Sequence, residues 1–429
     1  MPNGALTSHL SFIIARIRER LWVRPLVLSF ISIAAAFLAN FVDGTGLGQH
    51  VPSLTAESVD TLLSIMAASM MVIATLAVAS MVSAYATASA TATPRSVRLV
   101  IADDVSQNAL STFIGAFIFS IVGLTAMKND HYGTAGLFTL FVLTIVVFGV
   151  VILTFVRWVD RIARLGRVGT TVESVEKAAA GALTRRRDAP TLNGVSVNPS
   201  RASGVSVFAN TVGYVQRIDI DSLQKYAEKR EGRVVVAALP GTFMTPGRPL
   251  AYVSSELDPR EGADDGMVLE AFTIGNGRVF DHDPRFGLVV LSEIASHALS
   301  PAVNDPGTAI DVIGRLVRLF VLWNDRTHET DGAPPDPKAP QFDRVEVPEL
   351  SVSDLFDDAF SAVGRDGATM VEVAVRLQKA LRSLSQIGDA EIQQAALRHG
   401  RLALARAESA LNLPEDIAAV RDEAAVSGR

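Results

Sequence analysis

Apolar residues in the first third of the chain show neither the alternation of a half-buried strand nor the three-and-four spacing of a surface helix. They gather in four blocks. A bilayer core about 30 Å thick takes roughly 20 residues of helix to cross, and the blocks approach or reach that length. Leu26 to Val42 is slightly short, with Leu21, Trp22 and Val23 ahead of it as interfacial anchors. Leu62 to Ala84, Ala109 to Met127 and Leu137 to Val156 complete the set. A signal-peptide reading of the first block would want a small-residue cleavage site near Asp43, and none stands there. The pattern therefore predicts a polytopic α-helical membrane protein with four transmembrane helices.

Behind the fourth block the pattern becomes that of a soluble chain. Helical spacing continues from Arg157 to about Ala182, then yields to TRRRDAPTLNG and a polar stretch reaching Gly204, which reads as a linker. Tyr214 to Ile218 alternates as a strand, and Asp221 is placed to cap a helix carrying Leu223, Tyr226 and Ala227. Val234 to Leu239 and Leu250 to Val253 read as short strands around Pro-Gly turns, as in a small α+β or barrel-like module. Asp283-Pro284 opens a helix to about Leu299 by the cap-then-proline signal. Ser300-Pro301 breaks it, and Asn304-Asp305-Pro306 turns the chain and caps a second helix from Thr308 to Trp323. Asp331 to Pro340 is a proline-rich surface loop. A short strand at Arg344 to Val347 precedes amphipathic helices at Leu355 to Val363, Met370 to Leu384 and Glu391 to Leu411. The domains expected are a four-span region at 1–168, a helical extension and linker at 169–204, a small strand-containing module at 205–258, and a mainly helical cytosolic domain at 259–429. The C-terminal soluble part is thus α+β.

Charge sets the orientation. Arg16, Arg18, Arg20 and Arg24 precede the first span, Arg95 and Arg98 follow the second, and Arg157, Arg161, Arg164 and Arg167 follow the fourth, whereas the other two connections carry only Lys128. Basic residues stay on the cytoplasmic side, so both termini and the soluble domain are expected in the cytoplasm beneath a bacterial inner membrane. The net charge of −6 offers no long basic surface for nucleic acid. With no cysteine in the chain, disulfides, thiolate metal sites and cysteine nucleophiles are excluded.

No Asp, Glu, Lys, Arg or His lies within the four apolar cores. That argues against a proton relay or a carboxylate ion site within one chain, and leaves open a pore lined by hydroxyls and carbonyls. In the second span Thr75, Ala79, Ser83, Thr87 and Thr91 recur every fourth residue, and Ser111, Gly115 and Gly123 are spaced similarly in the third. Such rows let helices approach closely; alternatively the Thr75, Ala79, Ser83 and Thr87 face lines a water-filled path in a homo-oligomer. Asp103 and Asp104 suit the start of the third helix, or a cation-attracting vestibule. Asp281, His282, Asp283, His297, Asn304, Asp305 and Asp311 are the one concentration of metal-capable or acid/base side chains. Their spacing lacks a helical His pair, so Ser300, Asn304 and Asp305 read as caps and turn makers, and Pro301 and Pro306 as corner pieces. IGNGR at Ile274 to Arg278 is a turn too short for a phosphate loop, and no catalytic or nucleotide motif occurs. No enzyme activity, cofactor or metal is expected.

ALSPAVNDPGTAIDVI at Ala298 to Ile313 resembles the hallmark of the bacterial predicted membrane proteins collected as domain of unknown function 2254. The resemblance extends to FGLVVLSEIAS, GYVQRIDIDSL, the PG-T-F-x-x-PG-x-PL pattern and PRSVR, from about Trp22 to Leu411. It implies four spans and a cytoplasmic domain, and no activity. One departure stands out: GRVFDHD occupies the place of an R-T-x-x-Q-D-like string, so no role for Thr or Gln there carries over. The expectation is a homo-oligomeric, channel-like or permeation protein with a cytosolic regulatory domain. The alternative is a non-conducting membrane sensor or scaffold binding a ligand or protein partner. Its expected partners are the lipid bilayer, further copies of itself and an unidentified ion or small ligand.

Overall fold

The computed structural model describes residues 23–41, 52, 54–97, 99, 103–164, 167–198, 204–254, 265–325 and 340–425. Arg16, Arg18, Arg20, Leu21, Trp22 and Arg98 lie outside the described residues, as does the proline-rich loop up to Ala339. The chain divides into two compact units, one of residues 1–90 and 96–171, the other of 91–95 and 172–429.

The first unit holds helices α1 (Val23–Phe41), α2 (Ala56–Thr91), α3 (Asp104–Lys128) and α4 (Thr134–Ile162). Among the described residues, α2, α3 and α4 are long and apolar enough to cross a membrane, and α1 is a shorter apolar helix. Gly115 is where α1 and α3 approach: a Cβ there would stand 3.0 Å from Leu28 Cδ2 and 3.2 Å from Ser32 Oγ. Gly123 opens the same kind of space, 3.3 Å from Leu63 of α2 and 3.4 Å from Leu140 of α4. The small residues of the third span are thus packing residues. Phe113, Phe119, Leu63, Leu140 and Met70 fill the interior, and Phe113, Phe155 and Trp158 contact one another with centroids 6.0 to 6.5 Å apart. Buried hydroxyls return to the backbone, Ser111 Oγ donating to Gln107 O, Ser120 to Ala116 O and Thr144 to Leu140 O. Phe30, Phe37, Val72, Val146, Leu153 and Val156 lie exposed on the outside, the reverse of a soluble bundle and the arrangement that lipid as solvent favours. Asp103 caps α3, accepting from Ser106 N at 3.0 Å and pairing with Arg161 at 2.7 Å.

Helical structure stops at Ile162 and resumes as α5 (Val168–Asp188), so the continuous helix expected across that point is interrupted. The TRRRD segment, read as the start of a linker, is the last turn of α5. Arg185, Arg186 and Arg187 each donate to a different remote carbonyl, of Asp281, Pro348 and Leu322. Cations at a helix C-terminus also complement its dipole.

The second unit places two small sheets beside a group of helices. The strands are β1 (Val195–Ser196), β2 (Val205–Phe208), β3 (Gly213–Ile218), β4 (Arg233–Val236), β5 (Phe243–Met244), β6 (Pro249–Ser254), β7 (Phe272–Gly275) and β8 (Val345–Val347). One sheet runs β1-β8-β4-β6-β2 and the other β5-β3-β7. β8 pairs parallel with both β1 and β4, and the remaining ladders are antiparallel. Helix α6 (Ile220–Lys229) covers a core of Leu223, Tyr226, Val234, Leu250 and Val345. Its cap is Asp219, accepting from Ser222 N, and not the Asp221 expected from sequence, which sits within the first turn and pairs with Lys225. The short α7 (Asp265–Glu270) leads into β7. The helices that follow are α8 (Pro284–Ala298), α9 (Pro306–Asn324), α10 (Val352–Asp366), α11 (Val371–Ser385), α12 (Ala390–Ala410) and α13 (Pro414–Ala425). Phe320, Phe356 and Phe360 interlock at centroid separations of 4.2 to 5.6 Å. α8 runs close along α5 at Gly287, where a Cβ would fall 2.3 Å from that of Ala179. Only glycine fits there.

Candidate functional site

The row Thr75, Ala79, Ser83 and Thr87 lies on one face of α2, and all four residues are exposed. The opposite face, with Leu63, Met66, Met70, Ala77, Met81 and Ala88, is the one that packs within the unit. The row therefore does not mediate packing inside one chain. Thr75 Oγ1 donates to Met71 O at 2.9 Å and Thr87 Oγ1 to Ser83 O at 3.0 Å. Each hydroxyl keeps its lone pairs facing outward while its proton is satisfied, so the row costs little in a dry environment and can accept from water in a wet one.

In the second unit the ALSPAVNDP string forms a rigid corner. Asp305 N returns to Ala298 O at 2.8 Å, and Val303 N and Asn304 N both reach Ser300 O, at 3.1 and 2.8 Å. Asn304 has φ +51°, a left-handed conformation that Asn tolerates better than most residues. Asp305 caps α9 through Thr308 N at 3.0 Å and accepts from Thr308 Oγ1 at 2.6 Å, with Pro306 opening the helix. Those bonds hold the Asp305 carboxyl below its usual range. Ser300 contributes its backbone, and Pro301 lies exposed on the outside of the turn.

At the other end of α8, Asp283 is 1% exposed and is the hub of the module. It caps α8 through Phe286 N and takes two bonds from Arg278, at 2.6 and 2.9 Å. Burial pushes its carboxyl up against the opposing pull of Arg278 and of the backbone donors of Phe286 and Arg285. Gly241, at φ +92°, lies against this carboxylate; a Cβ there would come within 2.3 Å of Oδ2. Gly241 N donates to Val215 O and Val215 N donates to Thr242 O, tying the Pro-Gly turn to β3. Three separate strings of the sequence, PGTF, IGNGR and DHDP, thus meet at one carboxylate. The sequence marks Asp283 as a cap but carries no signal that Arg278 and Gly241 are its partners.

The remaining members of the Asp/His group do not converge. His282 is exposed, His297 sits in the last turn of α8, and Asp311 pairs with Arg315 at 2.8 Å. Among the described residues no three His, Asp or Glu side chains gather where a metal could sit. Ion pairs instead join the helices: Glu176 of α5 meets Arg315 and Arg318 of α9 at 2.6 and 2.7 Å, and Arg285 of α8 bridges Asp354 and Asp358 of α10 at 2.7 and 2.6 Å. Although burial opposes it, the bonds from Arg318 and Arg315 hold the Glu176 carboxyl below the usual range.

A family described as "Predicted membrane protein (DUF2254)" matches residues 18–383. Uncharacterized proteins of Mycobacterium tuberculosis, strains CDC 1551 and H37Rv, and of Mycobacterium bovis are 33% identical over 118 residues, which is 27% of this chain and 23% of each relative. The aligned stretch spans about a quarter of those relatives' length. No solved structure matches the chain.

Proposed function

The chain belongs to the DUF2254 family of predicted membrane proteins, and from that premise we propose that α1 to α4 cross a bacterial inner membrane and that copies assemble into a channel-like permeation protein. Both termini and the second unit lie in the cytoplasm, where that unit regulates the pathway. The supporting observation is the outward face of α2: four small or hydroxyl-bearing residues, all exposed on the single chain, on a helix whose other face is already packed. A lipid-facing surface has no need of such a row, whereas a neighbouring copy of α2 or a water column gains from it through close approach or spare acceptors. Arginine on one side of the spans only, with Lys128 alone on the other, supports the orientation.

The chain has no cysteine, so single cysteines at Thr75, Ala79 or Ser83 report on assembly without background. The expected result is a disulfide-linked dimer in membranes from those positions and none from Leu153, exposed on α4, together with ion flux when purified protein is reconstituted in planar bilayers. Cross-linking without flux under any ion favours the non-conducting sensor or scaffold. Absence of both overturns the assembly.

A further inference from the structure

A polar chamber of about 640 Å³ lies within the second unit, where four helix ends meet. The C-terminal turns of α5 and α9 and the N-terminal ends of α10 and α12 form its wall, with Trp323 as its aromatic side. That volume lies in the range of small-molecule sites, roughly 300 to 1,000 Å³. Five carboxylate residues line it, Asp188, Asp325, Glu349, Asp389 and Glu391, against two guanidinium residues, Arg186 and Arg187. Some of this charge is already engaged: Arg187 pairs with Asp188 at 3.0 Å, and Asp389 caps α12 through the backbone N–H groups of Glu391 and Ile392. The carbonyl ends of α5 and α9 add negative potential on their side of the chamber, and the amide ends of α10 and α12 add positive potential on theirs.

An excess of carboxylate beside an indole selects a ligand bearing a positive charge, because ammonium groups bind both carboxylates and aromatic faces. A second observation points the other way along the ligand. Arg186 forms part of the wall, is 5% exposed, and donates through Nη2 to Pro348 O at 2.7 Å, while its Nε meets no acceptor among the described residues. A buried, charged donor left without an acceptor costs free energy that a ligand's carboxylate or carbonyl recovers. Burial lowers the pKa of this guanidinium to about 10, against the neighbouring pull of Glu349, which marks how poorly solvated it is. A nucleotide or other polyanion would meet net repulsion from the carboxylates, and no three of the described His, Asp or Glu side chains are grouped to hold a metal.

We propose that this chamber binds a small zwitterion of the free amino-acid type, its carboxylate directed to Arg186 and its ammonium to the acidic wall beside Trp323. The site is independent of whether the membrane unit conducts. If it is coupled to the spans, it makes the second unit a receptor for a metabolite pool.

Isothermal titration of the full-length protein in detergent with the common L-amino acids tests the assignment, with putrescine (amine only) and acetate (acceptor only) as controls. The expected result is saturable binding of at least one amino acid at about 1 mM or tighter, with each control at least about tenfold weaker. Trp323→Leu and Glu391→Gln should each weaken that binding by about tenfold, with unchanged circular dichroism and thermal midpoint. Arg186→Gln is the more direct variant, and the Trp323 and Glu391 variants keep the test decisive if it fails to fold. No saturable binding of any amino acid, putrescine binding as tightly as the best of them, or binding untouched by both wall variants overturns the proposal.

Discussion

At Asp283 one carboxylate does three things: it caps α8, neutralises Arg278 and fills the space that Gly241 leaves open. Removing it takes the paired carboxylate away from the Arg278 guanidinium, whose side chain is only 20% exposed. Breaking a buried pair from one side costs about 3–5 kcal/mol. Asp283→Ala should therefore lower thermal stability steeply in the full-length protein, and an unshifted melting curve would show that the pair is not buried as described. Gly241→Ala combines a left-handed backbone with a collision at 2.3 Å, so a loss of about 1–3 kcal/mol is expected from backbone strain alone. His399 gives the pH dependence. It is 3% exposed against Phe356 and Phe360, and burial, with Arg398 and Arg406 nearby, holds it below its ordinary range against the pull of Asp357. The unfolded chain takes up this proton at about pH 6.5, the folded chain only lower. Between those two values the unfolded state binds more protons, so stability falls as pH drops through about 6.5 and levels off below the folded value. The midpoint of thermal unfolding should decline over that window in the native chain and decline less in His399→Asn. Equal slopes would assign the effect elsewhere.

Among the elements, those whose cause is local were legible in the sequence. Four uncharged blocks gave apolar helices, and Asp283-Pro284 and Asp305-Pro306 marked helix starts because cap and N1 residues act on their own turn. Elements fixed by remote partners were misread. The three arginines at the end of α5 read as a solvated linker because their acceptors, carbonyls of residues 281, 348 and 322, carry no signal in sequence. The choice of Asp219 over Asp221 was equally silent, since the two stand two residues apart at the start of α6 and the cap depends on where β3 delivers the chain. The ALSPAVNDP corner admits a test at this scale: Asn304 stands at φ +51°, so Asn304→Gly should be tolerated while Asn304→Val should cost about 1–2 kcal/mol. Similar losses from both would mean that the Asn304 side chain itself is needed at the corner. For the α2 row the sequence showed the periodicity but not its direction, because small residues favour contact equally inside a chain and between chains.

For the whole molecule, the first expectation is retention in the membrane pellet after an alkaline carbonate wash, with release only by detergent; recovery in the wash would contradict four embedded helices. A reporter fused after Arg429 should be active only in the cytoplasm. α2 contains 36 residues, about 54 Å of helix at 1.5 Å per residue, against a hydrocarbon core of about 30 Å. Its last stretch, SAYATASAT, is neither charged nor strongly greasy, so lipid can rise or fall along it with little change in solvation. Where an ordinary span with abrupt ends would tilt or deform the membrane at a cost of fractions of a kcal/mol per ångström of mismatch, this one behaves as a sliding gauge. The protein should therefore tolerate lipids of different chain length with little change in its embedding, a property to be read in vesicles of graded thickness.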